Sequence, residues 1–523
     1  MNVKYLINTA VKEYPDNVAL IWGEKRYTFK ELNDRVNKLA NGLLEIGLKK
    51  GDRAGMLLEN RAEYIEIDFA LSKVGIVKVP LNARLSLQDH RYTLDDSQSH
   101  ALIFTDRFLD IVNNMKGELS TVREFVCVSD KTKPEVRNFR PVFYEELMDA
   151  GAPVDPAIQV DHNDLNTLFY TSGTTGRPKG AMLSQGAWAN TAINLCLNYG
   201  PITHRDVILN VQPLSHGAGF FVLPFFIRGA ANMLVDFSPH NVFEAIEKER
   251  VTVLKVVPVM IKKLLESPDK DKYDLSSLQH IIYGGSPIGR PMLIKAIQFF
   301  GPILSQLYGQ GEIPMTISTL CREDHVIDGS KEEIKRLDSA GKACINTEVR
   351  IVDDTGKEVP TGQIGEVIVR GTNAMNGYWR RPEVTTETLK NGWVYTGDLA
   401  YMDSKGYIFL VDRKKEVIIS GAFNIYPAEV ERVLRHHPAI DDIAVIGIPD
   451  DNWGEAVKAV VVLKKGAKTT EEEIITYGKD QGLKFRAPKS VDFIDELPRN
   501  PYGKPDKKVL KKPYWDGYEK LIH

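Results

Sequence analysis

The chain has 523 residues, of which 43% are hydrophobic and 26% are charged, a composition typical of globular domains. This length exceeds what one ordinary hydrophobic core contains, so we expect two or more domains. The formal net charge of -3 gives no electrostatic reason to expect nucleic acid as a partner. The four cysteines lie far apart without metal-ligand spacing, which argues against structural zinc and disulfides and favours a reducing cytoplasm.

Targeting and membrane segments are not expected. Residues 1–17 contain no continuous apolar run, so we predict no signal peptide. The longest apolar stretch, residues 217–227, contains Pro224 and is followed by Arg228. It is too short to span a bilayer, and the sequence therefore predicts a cytoplasmic protein without a transmembrane segment.

Apolar runs alternate with helix-periodic segments through most of the first 400 residues. Strands are predicted at residues 165–170, 231–235, 251–257 and 280–283. Residues 241–249 place their apolar side chains on one helix face. This alternation favours an α/β architecture, with largely parallel sheets flanked by helices in a large N-terminal domain. The shorter alternating runs at residues 348–352 and 365–371 predict an antiparallel sheet or a small β-barrel-like subdomain.

A dense charge run at residues 412–416 separates two apolar segments. Such a run is usually a solvated turn, and a domain boundary is the alternative. After it, Pro427 suits the first position of a helix. Apolar residues then recur at helical spacing, and strands are predicted at residues 443–448 and 459–463. About a hundred residues with their own apolar pattern predict a small α+β domain.

The loop at residues 171–180, TSGTTGRPKG, directly follows the strand predicted at residues 165–170. Its glycines let backbone N–H groups turn toward a ligand, and its hydroxyls donate to phosphate oxygens. Lys179 adds a point charge that suits a polyphosphate. The P-loop pattern is absent, because Lys179 precedes Gly180 rather than Ser or Thr. The loop therefore indicates phosphate binding without defining the fold; a flexible surface loop is the alternative.

Five further motifs follow the loop along the chain. They are GGSP at residues 284–287, YGQGE at 308–312, WVYTGD at 393–398, GAFNIYPAE at 421–429 and PRNPYGK at 498–504. Together with the loop, they resemble the acyl-adenylate-forming superfamily of acyl-CoA synthetases, adenylation domains and luciferases. The resemblance extends from Tyr27 to Lys504. It implies an acyl-CoA synthetase that uses ATP, Mg²⁺ and coenzyme A.

The resemblance implies which residues bind the nucleotide. The phosphate side comprises Thr171, Ser172, Gly173, Thr174, Thr175, Gly176 and Lys179. The adenine side comprises Gly284, Gly285, Ser286, Tyr308, Gly309, Gln310 and Gly311, with Tyr308 stacking on the ring. Glu312 offers Mg²⁺ a hard oxygen ligand, and Thr174 is the second implied metal ligand. One position departs from the pattern, because Gly311 stands where the family usually has Thr, whose hydroxyl helps to hold the α-phosphate.

The last three motifs and the charge run at residues 412–416 imply further site residues. Asp398 would accept both ribose hydroxyls, since a carboxylate only accepts hydrogen bonds, and Arg413 would add a ribose or phosphate contact. Gly421 would lie beside a pantetheine tunnel, with the small Ala422 at the family's second glycine. Lys504 would bridge the substrate carboxylate and the α-phosphate and stabilise transition-state charge. Outside this context, a lysine in a basic tail is usually solvent-facing.

The resemblance also implies a domain arrangement. We predict an adenylation domain over residues 1–411, a hinge at residues 412–416 and a mobile C-terminal domain over residues 417–523. Rotation about Lys415 would exchange Lys504 for Gly421 between the two half-reactions.

Residues 213–221, PLSHGAGFF, occupy the family's acyl-pocket segment. His216 resembles an aromatic or histidine gate and counts among the implied catalytic residues; a lone histidine is otherwise usually a core residue. The small residues that follow leave room, and Phe220 and Phe221 offer apolar walls. The segment contains no Asp that could pair with an amino acid's ammonium. The sequence therefore predicts a predominantly apolar acid, either fatty or aromatic.

The predicted activity is an ATP-dependent carboxylic acid:CoA ligase that forms AMP, acting on a small-molecule acid. Two alternatives stay open. A related enzyme could transfer the acyl group to a carrier-protein pantetheine or to oxygen. A catalytically silent nucleotide- or acyl-binding protein is the other, although the presence of Glu312 and Lys504 argues against it. Assembly as a homodimer is left open.

Overall fold

A computed structural model describes residues 1–129, 136, 139–171, 177–420, 423–499 and 505–516. The chain divides into two compact units. The first comprises Met1–Val349 and Val369–Tyr395, and the second comprises Arg350–Ile368 and Thr396–His523. The domain limits drawn from the sequence, residues 1–411 and 417–523, stay a prediction.

One sheet of the first unit has a parallel centre with antiparallel strands at its edges. In spatial order, its strands are Lys342–Ala343, Ser318–Leu320, Leu304–Tyr308, His280–Gly284, Val253–Val256, Val207–Asn210, Ala231–Leu234, Val18–Trp22 and Lys25–Thr28. The strands predicted at residues 231–235, 251–257 and 280–283 are confirmed. Because parallel strands run in one direction, the loops after Gly284 and Tyr308 leave the same edge of the sheet.

A second sheet of the first unit is parallel except for its last pair. Its strands, in spatial order, are Val142–Phe143, Glu124–Val128, Ala101–Thr105, Arg53–Leu57, Val77–Pro80, Leu165–Thr171 and Lys179–Ser184. The strand predicted at residues 165–170 is confirmed, and it pairs antiparallel with Lys179–Ser184. This hairpin carries the candidate phosphate loop.

Helices pack against these sheets through apolar faces. The α-helices of the first unit are Val3–Glu13, Phe29–Glu45, Ala62–Val74, Leu87–Asp96, Leu109–Met115, Tyr144–Ala150, Gln185–Asn198, Gly219–Phe226, Pro239–Glu249, Pro258–Leu265, Arg290–Phe300, Lys331–Arg336 and Pro382–Thr388, with short 3₁₀ turns at Asp106–Phe108, Lys116–Glu118 and Arg322–Asp324. The helix predicted at residues 241–249 begins two residues earlier, because Ser238 caps it and Pro239 suits its first turn.

The apolar stretch at residues 217–227 forms a buried helix of the first unit, Gly219–Phe226. Its Phe226 packs against Phe29 and Phe69, with ring centroids 4.4 and 4.9 Å apart, respectively. An all-round apolar helix of this length belongs to a protein core. Within the described ranges, no helix is both long enough and apolar enough to cross a membrane.

Three strands contain the points where the chain passes from one unit to the other: Thr347–Val352, Gly365–Gly371 and Trp393–Met402. They confirm the β-structure predicted at residues 348–352 and 365–371. In the first unit, Leu389–Lys390 pairs antiparallel with the start of Trp393–Met402. In the second unit, the end of that strand pairs antiparallel with Ile408–Arg413.

The second unit also contains a small sheet covered by helices. Its strands, in spatial order, are Phe423–Ile425, Ile418–Ser420, Gly454–Leu463 and Ile440–Asp450, with Ser490–Phe493 paired to Gly454–Leu463. Its helices are Pro427–Leu434, Glu471–Asp480 and Lys507–Trp515, with 3₁₀ turns at Lys414–Glu416 and Lys484–Arg486. Pro427 occupies the start of its helix as predicted. The expected mixed α/β fold with a small α+β part is confirmed.

Candidate active site

The candidate phosphate loop is held at both ends by the hairpin that carries it. Thr171 pairs with Lys179, and Tyr170 pairs with Gly180. A side chain at Gly180 would crowd Tyr170, because a Cβ there would lie 3.1 Å from the tyrosine ring. Five predicted phosphate-binding residues lie outside the described residues: Ser172, Gly173, Thr174, Thr175 and Gly176. The two described ends, Thr171 and Lys179, are adjacent across the hairpin.

Glu312 is joined to the start of this loop. The Thr171 hydroxyl donates a hydrogen bond to Glu312 Oε1 at 3.0 Å, and the Tyr378 hydroxyl donates to the same oxygen at 2.7 Å. Within the described part of the chain, Oε2 of Glu312 accepts no hydrogen bond. The Lys179 ammonium lies 4.8 Å from the centre of the Tyr378 ring. These four residues form the phosphate-side cluster: Thr171, Lys179, Glu312 and Tyr378.

Tyr378 is a member of this cluster that sequence reasoning missed. Its backbone N–H donates to the Thr385 hydroxyl at 2.9 Å, which fixes the chain beside the helix Pro382–Thr388. The next residue, Trp379, donates its N–H to the Gly180 carbonyl at 2.8 Å. Residues 376–379 thus lie alongside the hairpin, and this arrangement brings the Tyr378 hydroxyl to Glu312. No local pattern in the sequence identifies such a tertiary contact.

The segment before Glu312 needs its glycines because backbone and side chains approach it closely. A Cβ at Gly309 would lie 2.5 Å from the Met315 backbone nitrogen. A Cβ at Gly311 would lie 2.3 Å from Cγ2 of Thr171 and 2.9 Å from the Phe169 ring. Distances below 3 Å are severe overlaps, so the position where the family usually carries Thr has no room for a side chain here. The Thr171 methyl group occupies that space instead.

The candidate adenine-side residues lie at the carboxyl edge of the parallel strands. Gly284 ends its strand opposite Leu307, and a Cβ there would lie 2.5 Å from the Leu307 carbonyl oxygen. Gly285 has φ +83, a left-handed conformation that glycine adopts without strain. Tyr308 ends the neighbouring strand at the same edge, where open α/β sheets usually bind ligands. The structure therefore brings the GGSP and YGQGE motifs together.

His216 lies beside the strand that leads into the phosphate loop. Its ring stacks on Phe169, with centroids 5.6 Å apart and an interplanar angle of 18°. Phe169 also contacts Phe220 edge-on, at 5.3 Å between centroids. His216 is exposed, so the alternative of a buried core histidine is wrong. The expected acyl-pocket segment is thus adjacent to the phosphate-side cluster in the first unit.

The second unit contains the candidate ribose residues. Asp398 and Arg413 are cross-strand partners, and Arg413 Nε lies 3.0 Å from Asp398 Oδ1. The Asp398 side chain is buried and the Arg413 side chain is half-exposed. An arginine at this distance holds the carboxylate in one orientation.

The predicted hinge residue Lys415 lies in the 3₁₀ turn Lys414–Glu416, also within the second unit. Asp412 is not simply a solvated charge: its carboxylate accepts the backbone N–H of Ala428 at 2.7 Å, and burial raises its pKa. Asp412 thereby caps the helix Pro427–Leu434, a role that the charge run did not reveal. Two further predicted residues, Gly421 and Lys504, lie outside the described residues.

Comparison with known proteins identifies the class. The chain matches the AMP-binding enzyme family model over residues 7–379 and the AMP-binding enzyme C-terminal domain over residues 429–504. The chain therefore belongs to the AMP-binding enzyme family, and the resemblance drawn from its motifs is confirmed.

Individual relatives cover nearly the whole chain. It is 36% identical over 540 residues to the medium/long-chain-fatty-acid–CoA ligase FadD8 of Mycobacterium tuberculosis, covering 99% of this chain and 91% of that protein. It is 36% identical over 493 residues to a feruloyl-CoA synthase of an Amycolatopsis species, covering 94% of each. Among solved structures, amide bond synthetase McbA from Marinactinospora thermotolerans has a TM-score of 0.86 at 28% identity, covering 98% of this chain and 100% of that one.

These relatives define the protein as an enzyme of the adenylate-forming acyl-CoA ligase group, an AMP-forming acid–thiol ligase. The names of the relatives differ in the acid: a fatty acid in one and ferulate in another. The acid that this chain activates is a separate question.

Proposed function

We propose that the protein joins a predominantly apolar carboxylic acid to coenzyme A through an acyl-adenylate intermediate, at the expense of ATP. The observation that carries this proposal is the phosphate-side cluster, in which Glu312 is hydrogen-bonded to Thr171 at the start of the loop and to Tyr378. Such fixed polar groups suit a reaction at phosphate, where catalysis depends on positioning and charge stabilisation.

In the first half-reaction, a substrate carboxylate oxygen attacks the α-phosphorus of ATP, and pyrophosphate leaves. Lys179 and the loop at residues 171–180 hold the departing phosphates, and Lys504 stabilises the charge between the carboxylate and the α-phosphate. Tyr308, Gly285 and Ser286 bind the adenine side, while Asp398 accepts the ribose hydroxyls with Arg413 beside it.

Glu312 fits a magnesium site. Mg²⁺ usually takes one or two protein carboxylates together with substrate phosphates, and Oε1 of Glu312 is already fixed by two hydroxyl donors. Glu312 and Thr174 would hold the ion, which when bound neutralises charge on the phosphates. The two hydroxyls keep the carboxylate oriented toward the loop.

In the second half-reaction, the coenzyme A thiolate attacks the acyl carbonyl, the thioester forms and AMP leaves. We propose that Lys415 is the hinge for a rotation that removes Lys504 and brings in Gly421. Its position in one short turn, between strands Ile408–Arg413 and Ile418–Ser420, supports this role because a single turn can absorb a change of backbone angles.

Two other acyl acceptors compete with coenzyme A in this proposal. The similarity to an amide bond synthetase supports an amine acceptor as the second possibility, and a carrier-protein pantetheine is the third. Each acceptor shares the adenylation step. They differ in the nucleophile that releases AMP.

A panel of fatty and aromatic acids tests the proposal in two assays. ATP–pyrophosphate exchange reports adenylation, and AMP release with and without coenzyme A reports transfer. We expect exchange with at least one acid and a strong stimulation of AMP release by coenzyme A. Exchange without that stimulation would instead support an amine or carrier-protein acceptor, and absence of both activities would contradict the proposal.

A further inference from the structure

A lysine lies in the middle of the large sheet. Lys255 belongs to the strand Val253–Val256 and lies between Asn210 and Ile282 on the two neighbouring strands. Only 4% of the residue is exposed. Lysine is rarely buried to this extent unless it is paired with an anion.

The Lys255 ammonium has an amide oxygen and an aromatic ring as neighbours. It donates a hydrogen bond to Oε1 of Gln212, and its Nζ lies 5.8 Å from the centre of the Phe221 ring. Among the described residues, no carboxylate pairs with it. An ammonium has three N–H donors, and among the described residues the Gln212 oxygen accepts one of them. Burial accordingly lowers the pKa of Lys255 to about 7.

Two other buried lysines of the first unit are paired with carboxylates. Lys78 pairs with Asp68 at 3.0 Å. Lys73 donates to Asn33 and Asn37 and pairs with Asp155 at 3.2 Å. The chain thus provides each of these lysines with a carboxylate. Lys255 differs from them in having a neutral partner.

Lys255 adjoins the expected acyl-pocket segment. A Cβ at Gly217 would lie 3.5 Å from Lys255 Nζ and 3.8 Å from the Met315 methyl group. Gly217 follows His216, which stacks on Phe169, and Phe169 precedes Thr171 on the strand that enters the phosphate loop. A chain of contacts therefore leads from the phosphate-side cluster past His216 to Lys255. In the proposed ligase, an acid with its reacting carboxylate at the phosphates and its body beside His216 would have its other end near Lys255.

We propose that Lys255 determines acid specificity by binding an oxygen acceptor, a carbonyl or a second carboxylate, at the end of the substrate remote from the reacting carboxylate. This inference rests on the proposed ligase function and specifies its substrate class: an apolar body with one polar end. The acceptor would take an N–H of Lys255 that Gln212 does not use, and it would offset the cost of the buried ammonium.

The test uses two sets of three acids that differ only at the remote end. One set is para-isopropylbenzoate, para-acetylbenzoate and terephthalate; the other is a medium-chain fatty acid ending in isopropyl, acetyl or carboxylate. The measured quantity is kcat/KM for coenzyme A-dependent AMP release. In one of the two sets, we expect the wild type to favour an acid with a terminal acceptor over its isopropyl counterpart by about tenfold or more. The better substrate of that set, the acetyl acid or the dicarboxylic acid, shows whether Lys255 binds a carbonyl or a carboxylate.

Lys255→Met should abolish this preference and leave the isopropyl acid as good a substrate as before or better. Lys255→Gln, which keeps a polar group, should retain part of a preference for acetyl and lose any preference for carboxylate. Lys73→Met is the matched control, a buried lysine on the helix Ala62–Val74. It should lower Tm without changing the order of the acids. The proposal is overturned if the wild type prefers isopropyl in both sets, or if Lys255→Met keeps the wild-type order.

Binding without catalysis separates this inference from the ligase proposal. The shift in Tm caused by each acid in the absence of ATP should be larger for the acetyl or carboxylate member in the wild type. In Lys255→Met, the shifts should be equal. If no acid releases AMP, the ligase proposal fails, but this difference still supports Lys255 as an acceptor-binding residue. If the acids of each set shift Tm equally in the wild type as well as in Lys255→Met, the proposed role of Lys255 is overturned.

Discussion

Two charged residues of the first unit have different hydrogen-bond partners: Glu312 in the phosphate-side cluster, and Lys255 on the acid side, beside the expected acyl-pocket segment. Glu312 is held by two hydroxyl donors, from Thr171 and Tyr378. Lys255 is buried with only the Gln212 amide oxygen as a hydrogen-bond acceptor among the described residues. ATP is the same in every turnover, so a carboxylate held in one position can bind on the phosphate side each time. The proposed role of Lys255 assigns a buried cation with a neutral partner to the part of the site that distinguishes one acid from another.

The largest effect is expected when the negative charge of Glu312 is removed from the phosphate side. Glu312→Gln keeps the size of the side chain and loses its negative charge. We expect ATP–pyrophosphate exchange to fall about 10²- to 10³-fold, because one preorganised charged group is lost from the transition state. Circular dichroism and Tm control for folding. Exchange within a few-fold of wild type would show that Glu312 is not part of the phosphate site.

The crowded position of Gly311 tests whether the phosphate-side cluster is rigid. Gly311→Thr restores the residue usual in the family, but its Cβ would overlap Cγ2 of Thr171, 2.3 Å away. We expect a loss of about 1–3 kcal/mol in the free energy of unfolding, together with lower exchange activity. Denaturant unfolding measures the first effect.

Thr171→Ser provides the matched partner, since it removes the clashing methyl group and keeps the hydroxyl that donates to Glu312. The double variant Gly311→Thr with Thr171→Ser should recover part of the lost stability, because the overlap with the Phe169 ring remains. Additive losses in the double-mutant cycle would show that the two side chains do not compete for the same space.

The buried Lys255 should make the stability of the protein depend on pH. Because the folded pKa of Lys255, about 7, lies below the ordinary lysine value, the cost of burying its charge is present in full below about pH 7. That cost disappears as the pH rises toward the unfolded pKa. Between about pH 7 and pH 9, the free energy of unfolding should therefore rise by on the order of 2 kcal/mol more in the wild type than in Lys255→Met. Parallel profiles for the two proteins would contradict this assignment.

The smallest expected effect concerns Tyr378. Tyr378→Phe removes one of the two donors to Glu312 and keeps the ring beside Lys179. We expect exchange to fall about three- to tenfold, corresponding to one hydrogen bond in a partly buried site. The matched control is Tyr401→Phe, in the second unit. A loss as large as that of Glu312→Gln would mean that Tyr378 has a role beyond positioning the carboxylate.

Much of the fold could be predicted from the sequence, whereas the roles of the site residues stay a proposal. Apolar runs bounded by glycine and polar residues located strands such as His280–Gly284, and Pro427 located a helix start, because these signals are local. The Glu312–Tyr378 bond joins residues 66 positions apart, so only the folded chain reveals it. Lys255 presented a related difficulty: a lone lysine in a strand is usually solvated, and its burial follows from the central position of its strand in the sheet.

The most direct test of the whole account is AMP release by the wild-type enzyme with its preferred acid, measured with and without coenzyme A and followed by mass spectrometry of the product. We expect AMP release to rise strongly with coenzyme A and the product to be the acyl-CoA thioester of that acid. If ATP–pyrophosphate exchange occurs but coenzyme A neither accelerates AMP release nor appears in the product, the proposed ligase function is contradicted.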